Sequence, residues 1–175
     1  MKKIIVLLAV ILLSTFGILS LLGPSYFTMH DDTQIGRVVS MARSLSDGQF
    51  PVRWVSDLGY GYGYPIFNFY GPLPYYIGGA LTNLGIPAMF ATKIMMGLGM
   101  ILAPLLAFLV LEQFLGVLAA SVSAILFMYA PYHAVQLYVR GAVGELYATA
   151  FLPLLFYGIV APLFAKTSHR TVFVG

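Results

Sequence analysis

A chain of 175 residues that is 60% hydrophobic and only 9% charged cannot cover itself with solvated side chains, since soluble domains ordinarily carry about a quarter charged residues. The composition therefore implies an all-α integral membrane protein. The net charge of +3 comes from scattered Lys and Arg, which excludes a nucleic-acid face, and the lack of cysteine excludes disulfides and thiolate metal sites.

Lys2 and Lys3 precede an apolar run that predicts a first span over residues 4–22. At 1.5 Å per residue the run reaches about 28 Å, close to the ~30 Å hydrocarbon core. It is longer than a signal-peptide core and closes on Leu21-Leu22-Gly23-Pro24 instead of a small-x-small cleavage site, so it reads as a retained anchor. The paired lysines put the N-terminus in the cytoplasm, which makes residues 23–87 a long extracytoplasmic loop.

That loop holds four of the six acidic residues, Asp31, Asp32, Asp47 and Asp57, with Arg37, Arg43, Arg53 and the sole tryptophan, Trp54. Residues 33–47 predict an amphipathic helix. Ile35, Val38, Val39, Ala42 and Leu45 recur at helical spacing, and Gln34, Arg37, Met41, Ser44 and Asp47 lie on another face. Asp31, Asp32 or Thr33 can cap its start, and Gly48 suits the left-handed position past its end. Such a helix is expected to lie on the membrane, with Arg37 and Arg43 reaching towards lipid phosphates. Residues 50–72, with Gly59-Tyr60-Gly61-Tyr62-Gly63-Tyr64-Pro65, predict an ordered aromatic loop, because alternating glycine and tyrosine before proline does not sustain a helix. A short helix follows Pro72, with too few residues before Pro87 to span.

Three further spans are predicted at about 88–112, 117–138 and 146–164, with an inner turn at 112–116 and Lys166, His169 and Arg170 closing the last on the cytoplasmic side. Thr171 to Gly175 reads as the start of another apolar run, so the chain is expected to be the N-terminal part of a longer protein.

Two polar groups carry the candidate chemistry. Asp31 and Asp32, shortly after the membrane exit, are the candidate catalytic residues: a carboxylate there can act as general base on an acceptor hydroxyl. The adjacent pair can also bind a divalent cation, the one cofactor entertained, or simply cap the helix. The second group is Arg140 and Glu145 with His133. Charged groups at membrane depth line a site or pair together. Arg140 can hold a phosphate through its forked donors, or form an ion pair with Glu145. His133 alone reads more readily as a structural hydrogen-bond donor. The tyrosines of 60–76 read mainly as an interfacial aromatic belt, with a site role for one or two.

In order, these features resemble the GT-C class of polytopic glycosyltransferases. In that class an acidic motif follows the first helix, here Asp31-Asp32, then a surface helix, here 33–47, then a short helix like Pro72-Leu73-Pro74-Tyr75-Tyr76. A closer resemblance, over roughly residues 28–160, is to prokaryotic membrane proteins labelled 6-pyruvoyl-tetrahydropterin synthase-related. It rests on His30-Asp31, Arg37, Gly48-x-x-Pro51-x-Arg53-Trp54, Gly61-Tyr62-Gly63-x-Pro65 and Phe69-Tyr70-x-Pro72-Leu73. The pterin label does not carry chemistry here, because three scattered histidines cannot build that soluble enzyme's zinc site. The resemblance implies a GT-C-like multi-spanning bundle in a prokaryotic cytoplasmic membrane. It further implies transfer of a sugar from a polyprenyl-phosphate carrier to a cell-envelope acceptor on the extracytoplasmic face. His30, Arg37, Arg53, Trp54, Tyr70, His133, Arg140 and Glu145 then stand as candidate substrate-binding residues. The rival reading is a non-enzymatic membrane protein, either a carrier-lipid transporter or an envelope-assembly scaffold. A transporter would be expected to bury polar residues at mid-membrane within broken helices.

Overall fold

The computed structural model describes residues 2–164. Among them the protein is helical, with no strand and only an isolated antiparallel bridge between Val55 and Tyr64. Lys166, His169, Arg170 and the apolar run after them lie outside the described residues.

The first apolar run does not stay one helix. Helix α1 (Lys2–Phe16) stops before Gly17, and a 3₁₀ turn over Leu19–Leu22 completes the segment. Its 15 residues give a helix of about 22 Å, short of the span expected over 4–22. Side chains from later in the chain make the break tolerable. The Gly17 amide bonds to the Ser14 carbonyl, which leaves the Leu13 carbonyl to accept the Tyr129 hydroxyl at 2.7 Å, while the Gly17 carbonyl accepts that of Tyr138 at 2.7 Å. Backbone oxygens released within an apolar bundle need such partners.

Helix α2 (Gln34–Ser46) matches the predicted segment within a residue, but its polar face is buried as well as its apolar one. The buried residues are Gln34, Arg37, Val38, Ser40, Met41, Ala42 and Ser44, so much of the polar face turns inward. Helix α3 (Leu73–Asn83) receives it. Gly78 and Gly79 of α3 lie against Val38 and Met41, and a Cβ on Gly79 would stand 3.0 Å from the Ala42 amide nitrogen. Close approach buries the backbones together and leaves the polar side chains to bond one another.

The α2–α3 pair packs on α4 (Ala88–Leu115), whose 28 residues make it the longest helix described. Helix α4 ends at Gly116, where φ of +75° favours glycine. Helix α5 (Val117–Met128) returns beside it and gives way at Pro131 to the one-turn α6 (Pro131–Ala134) and a π-helical turn over Val135–Arg140. The expected span over 117–138 is therefore bent, by 41°. Proline at the first position of α6 lacks the amide that would continue the ladder, so the chain turns there. Helix α7 (Val143–Phe164) begins three residues before the expected 146 and takes Glu145 into its first turn. Two helices, Ala88–Leu115 and Val143–Pro162, are long and apolar enough to cross a membrane, and the bent pair makes a third if it is one span.

Two apolar clusters fill the bundle. One is centred on Val10, Phe108 and Ala124; the larger, with Met41, Tyr75, Met95 and Leu146, underlies the loop segments. Lys3 pairs with Glu112, which puts the start of α1 and the end of α4 at the same end of the bundle. Residues 30–31 and 139–140 meet at the opposite end. Single cysteines at the exposed Ser46 and Gln113 should therefore differ in intact cells: an impermeant thiol reagent is expected to label the first and spare the second. Equal labelling of both would contradict opposite sidedness. The absence of native cysteines keeps the background clean.

Candidate functional site

The two polar groups, far apart in sequence, form one site. The His30 amide donates to the Val139 carbonyl at 2.8 Å and the Asp31 amide to the Arg140 carbonyl at 3.0 Å, a short backbone zipper between the first loop and the π-helical turn. Gln34, fully buried, fastens it: its Nε2 donates to the Gly141 carbonyl at 2.8 Å and the Asp31 carbonyl at 3.3 Å. Gly141 sits at φ +65°, and a Cβ there would lie 2.7 Å from the Asp31 carbonyl oxygen and collide with the Met29 sulfur. Gly141→Ala is expected to cost about 2 kcal/mol through backbone strain and overpacking. A thermal melt in detergent checks this, and an unchanged melting temperature would show the zipper to be dispensable.

Over the zipper opens a cavity of about 410 Å³, lined by His30, Asp31, Phe69, Tyr70, Tyr75, Arg140 and Glu145 among others. Its volume lies in the range of small-molecule sites, ~300–1,000 Å³. Five of the ten candidate residues thus line one space, with Arg37 directly behind it. The wall is mixed: two carboxylates, a guanidinium, an imidazole and three aromatic rings.

Asp31 is held from two sides. Its Oδ2 accepts from Arg37 Nη1 at 2.6 Å, and its Oδ1 from the Thr33 hydroxyl at 2.9 Å. Each carboxylate oxygen keeps lone-pair capacity for a ligand in the cavity. Arg37 is 8% exposed, stacks 4.1 Å over the Tyr70 ring, and donates to the Tyr75 hydroxyl at 3.3 Å. The Tyr75 hydroxyl in turn donates to Gln34 Oε1 at 2.7 Å. Burial works against the Arg37 cation, yet Asp31 and Tyr75 outweigh it and hold its proton more tightly than usual. Burial likewise raises the Tyr75 phenol, against the opposing pull of Arg37, so it remains a donor. The network Thr33–Asp31–Arg37–Tyr75–Gln34 explains why α2 turns its polar face inward. It also corrects the expected lipid contact of Arg37, which is buried and committed to Asp31; Arg43 stays exposed and pairs with Asp57 at 2.7 Å.

Neither aspartate caps α2. The N-cap is Thr33, with no side-chain cap bond, its hydroxyl being turned to Asp31. Asp32 is exposed, does not line the cavity and makes no side-chain hydrogen bond or ion pair among the described residues. Among the described residues no three His, Asp or Glu side chains are grouped to hold a metal ion.

Arg140 and Glu145 form a forked ion pair, Nη1 to Oε2 at 2.6 Å and Nη2 to Oε1 at 3.0 Å, with the Tyr132 hydroxyl accepting from Arg140 at 3.1 Å. Of the two readings of Arg140, the ion pair is the one observed, and Arg140 keeps further N–H donors beyond these three bonds. Three candidates fall elsewhere. Arg53 is exposed, with Asn68 Oδ1 3.4 Å from its Nη1. Trp54 packs over Gly63, leaving no room for a Cβ there. His133 is buried edge-on against the Phe127 ring at 4.9 Å and does not reach the cavity. Tyr60 and Tyr62 stand exposed on the loop, whereas Tyr70 and Tyr75 belong to the site.

Sequence reasoning missed Gln34, Thr33, Gly141 and Tyr132 as site-building residues. The one available signal was Gln34 beside Arg37 on an otherwise apolar-facing helix. Gly141 meets Gln34 across 107 residues, whereas Thr33 and Tyr132 bond Asp31, Arg140 and Glu145 within 13 residues and lacked only a reason to single them out. Set against family models, curated proteins and solved structures, the chain matches none of them.

Proposed function

We propose that the cavity is the catalytic face of a membrane glycosyltransferase of GT-C type, which moves a sugar from a polyprenyl-phosphate carrier to a cell-envelope acceptor on the extracytoplasmic side. The observation that carries this reading is the meeting of Asp31 with Arg140, Glu145, His30 and Tyr70 around one space at one end of an apolar bundle. In an inverting displacement the acceptor hydroxyl attacks the sugar's anomeric carbon, its proton passes to a base, and the carrier phosphate leaves with the bonding electron pair. Asp31 is the base: paired with Arg37, it reaches the cavity with lone pairs free. Arg140 supplies donors to the departing phosphate, with Glu145 and Tyr132 fixing its fork. Tyr70 and Phe69 offer ring faces for a sugar.

One observation favours the rival, a carrier-lipid transporter. The helix broken at Pro131 buries His133 and Gln136 within the bundle, and broken helices with interior polar groups mark transport sites. Gln136, however, is spent in part on Thr149, 3.0 Å away, and neither residue lines the polar cavity that holds Asp31 and Arg140. The two readings separate in proteoliposomes of the full-length protein given a radiolabelled polyprenyl-phosphate sugar. Transfer of label to a water-soluble or envelope acceptor supports the enzyme. Movement of intact carrier lipid between leaflets, without release of its sugar, overturns it.

A further inference from the structure

A second feature lies on the lipid-facing side of the bundle, apart from the cavity. Lys93, in the second turn of α4, is 4% exposed. Its ammonium donates to the Gly23 carbonyl at 2.5 Å and the Ser25 carbonyl at 2.8 Å, the first backbone groups after the 3₁₀ turn that ends the α1 segment. An ammonium has three donors, so one remains. Among the described residues Lys93 has no carboxylate partner, and only the Phe90 ring, 5.8 Å from Nζ, adds a weak electrostatic contact. Two carbonyl dipoles do not cancel a full charge, and an uncompensated cation on an apolar helix is costly.

Below Lys93 runs an apolar groove of about 320 Å³ between the 3₁₀ turn and α4, lined by Ile18, Leu21, Leu22, Phe90, Ile94 and Leu98, with Gly97 at its floor and Ile101 at its far end. From Phe90 to Ile101 the groove follows α4 for about 16 Å. It exists because α1 stops at Phe16: a helix continuing to residue 22 would not present this offset ledge of Ile18, Leu21 and Leu22. The floor is open, since a Cβ on Gly97 would make only ordinary contacts, 3.5 Å from Ile18 and Leu21.

We infer that this groove binds an anionic phospholipid of the surrounding bilayer, with one acyl chain along Gly97 and its phosphate on the free donor of Lys93. Charge decides between lipids. A headgroup carrying its own cation gains little from a lone ammonium, whereas a phosphodiester without one supplies the missing counter-charge. The site shares no lining residue with the cavity and does not depend on the transfer chemistry proposed for it.

The test is native mass spectrometry of the full-length protein released from nanodiscs of equal parts phosphatidylglycerol and phosphatidylcholine. Wild type is expected to retain a phospholipid strongly enriched in phosphatidylglycerol. Lys93→Met keeps the apolar stem and should lose about tenfold of that enrichment, and Lys93→Arg should keep it. Gly97→Leu fills the groove with the charge intact and should release the lipid. It keeps Lys93 itself in place, so it tests the groove even if Lys93→Met fails to fold. Retention in the ratio of the disc, or retention unchanged in Gly97→Leu, overturns the inference.

Discussion

Asp31→Asn in the full-length protein should lower sugar transfer by about 10²–10⁴-fold, the usual contribution of a general base, while Asp32→Asn leaves it near wild type. The substitution is chosen because Asn and Asp cap helices about equally well, so loss of a cap cannot produce the result. In the structure the point is sharper, since neither side chain caps α2. Arg37 and Thr33 now hold the carboxylate at 2.6 and 2.9 Å. An amide in its place can still accept from Arg37 through its oxygen and donate to the Thr33 hydroxyl through its nitrogen, so the side chain's position should survive. What it loses is the ability to take a proton. Transfer should therefore fail while membrane insertion persists, with a fall in melting temperature from the Arg37 charge left without its partner. If the variant with both aspartates changed to asparagine retains full turnover, Asp31 has no role as base and the proposed chemistry is wrong.

The second large effect is on stability. Arg37→Leu removes the partner of Asp31 together with a bond to Tyr75 and the stack on Tyr70. Breaking a largely buried ion pair from one side leaves the other charge uncompensated, which typically costs about 3–5 kcal/mol. Asp31 keeps some water contact, its side chain being 23% exposed, so a cost of about 3 kcal/mol is expected. For a chain of this size that lowers the melting temperature by roughly 6–12 °C. Arg43→Leu is the matched control. Its pair with Asp57 is just as short, but the arginine side chain is 56% exposed, and exposed pairs contribute at most about 1 kcal/mol. Equal shifts in the two variants would show that the Asp31–Arg37 network does not hold α2 in place.

Local signals in the sequence read well where local physics decides. The turn expected over 112–116 was legible in place but not in extent, since α4 runs on to Leu115 and ends only at Gly116, and Leu73–Asn83 formed a helix too short to span. The 34–46 helix was legible from its spacing, but its facing was not. Hydrophobic periodicity asks which face leaves water. Here Gln34 bonds Tyr75 and the Gly141 carbonyl, and Arg37 Nη1 bonds Asp31 and Tyr75 while its Nε is left unpaired, so most of the polar face can be buried. The glycines of α3 then decide the contact through close approach. The break in the first apolar run was illegible for a related reason. An unbroken apolar run carries no mark of the tyrosine hydroxyls, from Tyr129 and Tyr138, that its carbonyls accept at the break. Residue identity suggested that Asp31, Arg140 and Glu145 matter. Only the fold places them around one cavity, because the pairing of residues 30–31 with 139–140 has no local signature.

That pairing has a consequence for biosynthesis. Gln34 must wait for a carbonyl 107 residues further along the chain. At ~5–20 residues per second the ribosome needs on the order of 5–20 s to supply it. During that interval α2 already exists, because helices form within about a microsecond, yet Gln34 and the amides of His30 and Asp31 lack their final acceptors. The first loop must therefore stay hydrated until the π-helical turn over Val135–Arg140 has been made, and closing so long a loop comes late in folding. A chain stalled before residue 141 should hold its α2–α3 pair and still be open to protease at residues 28–33, whereas one released after α7 should be resistant there.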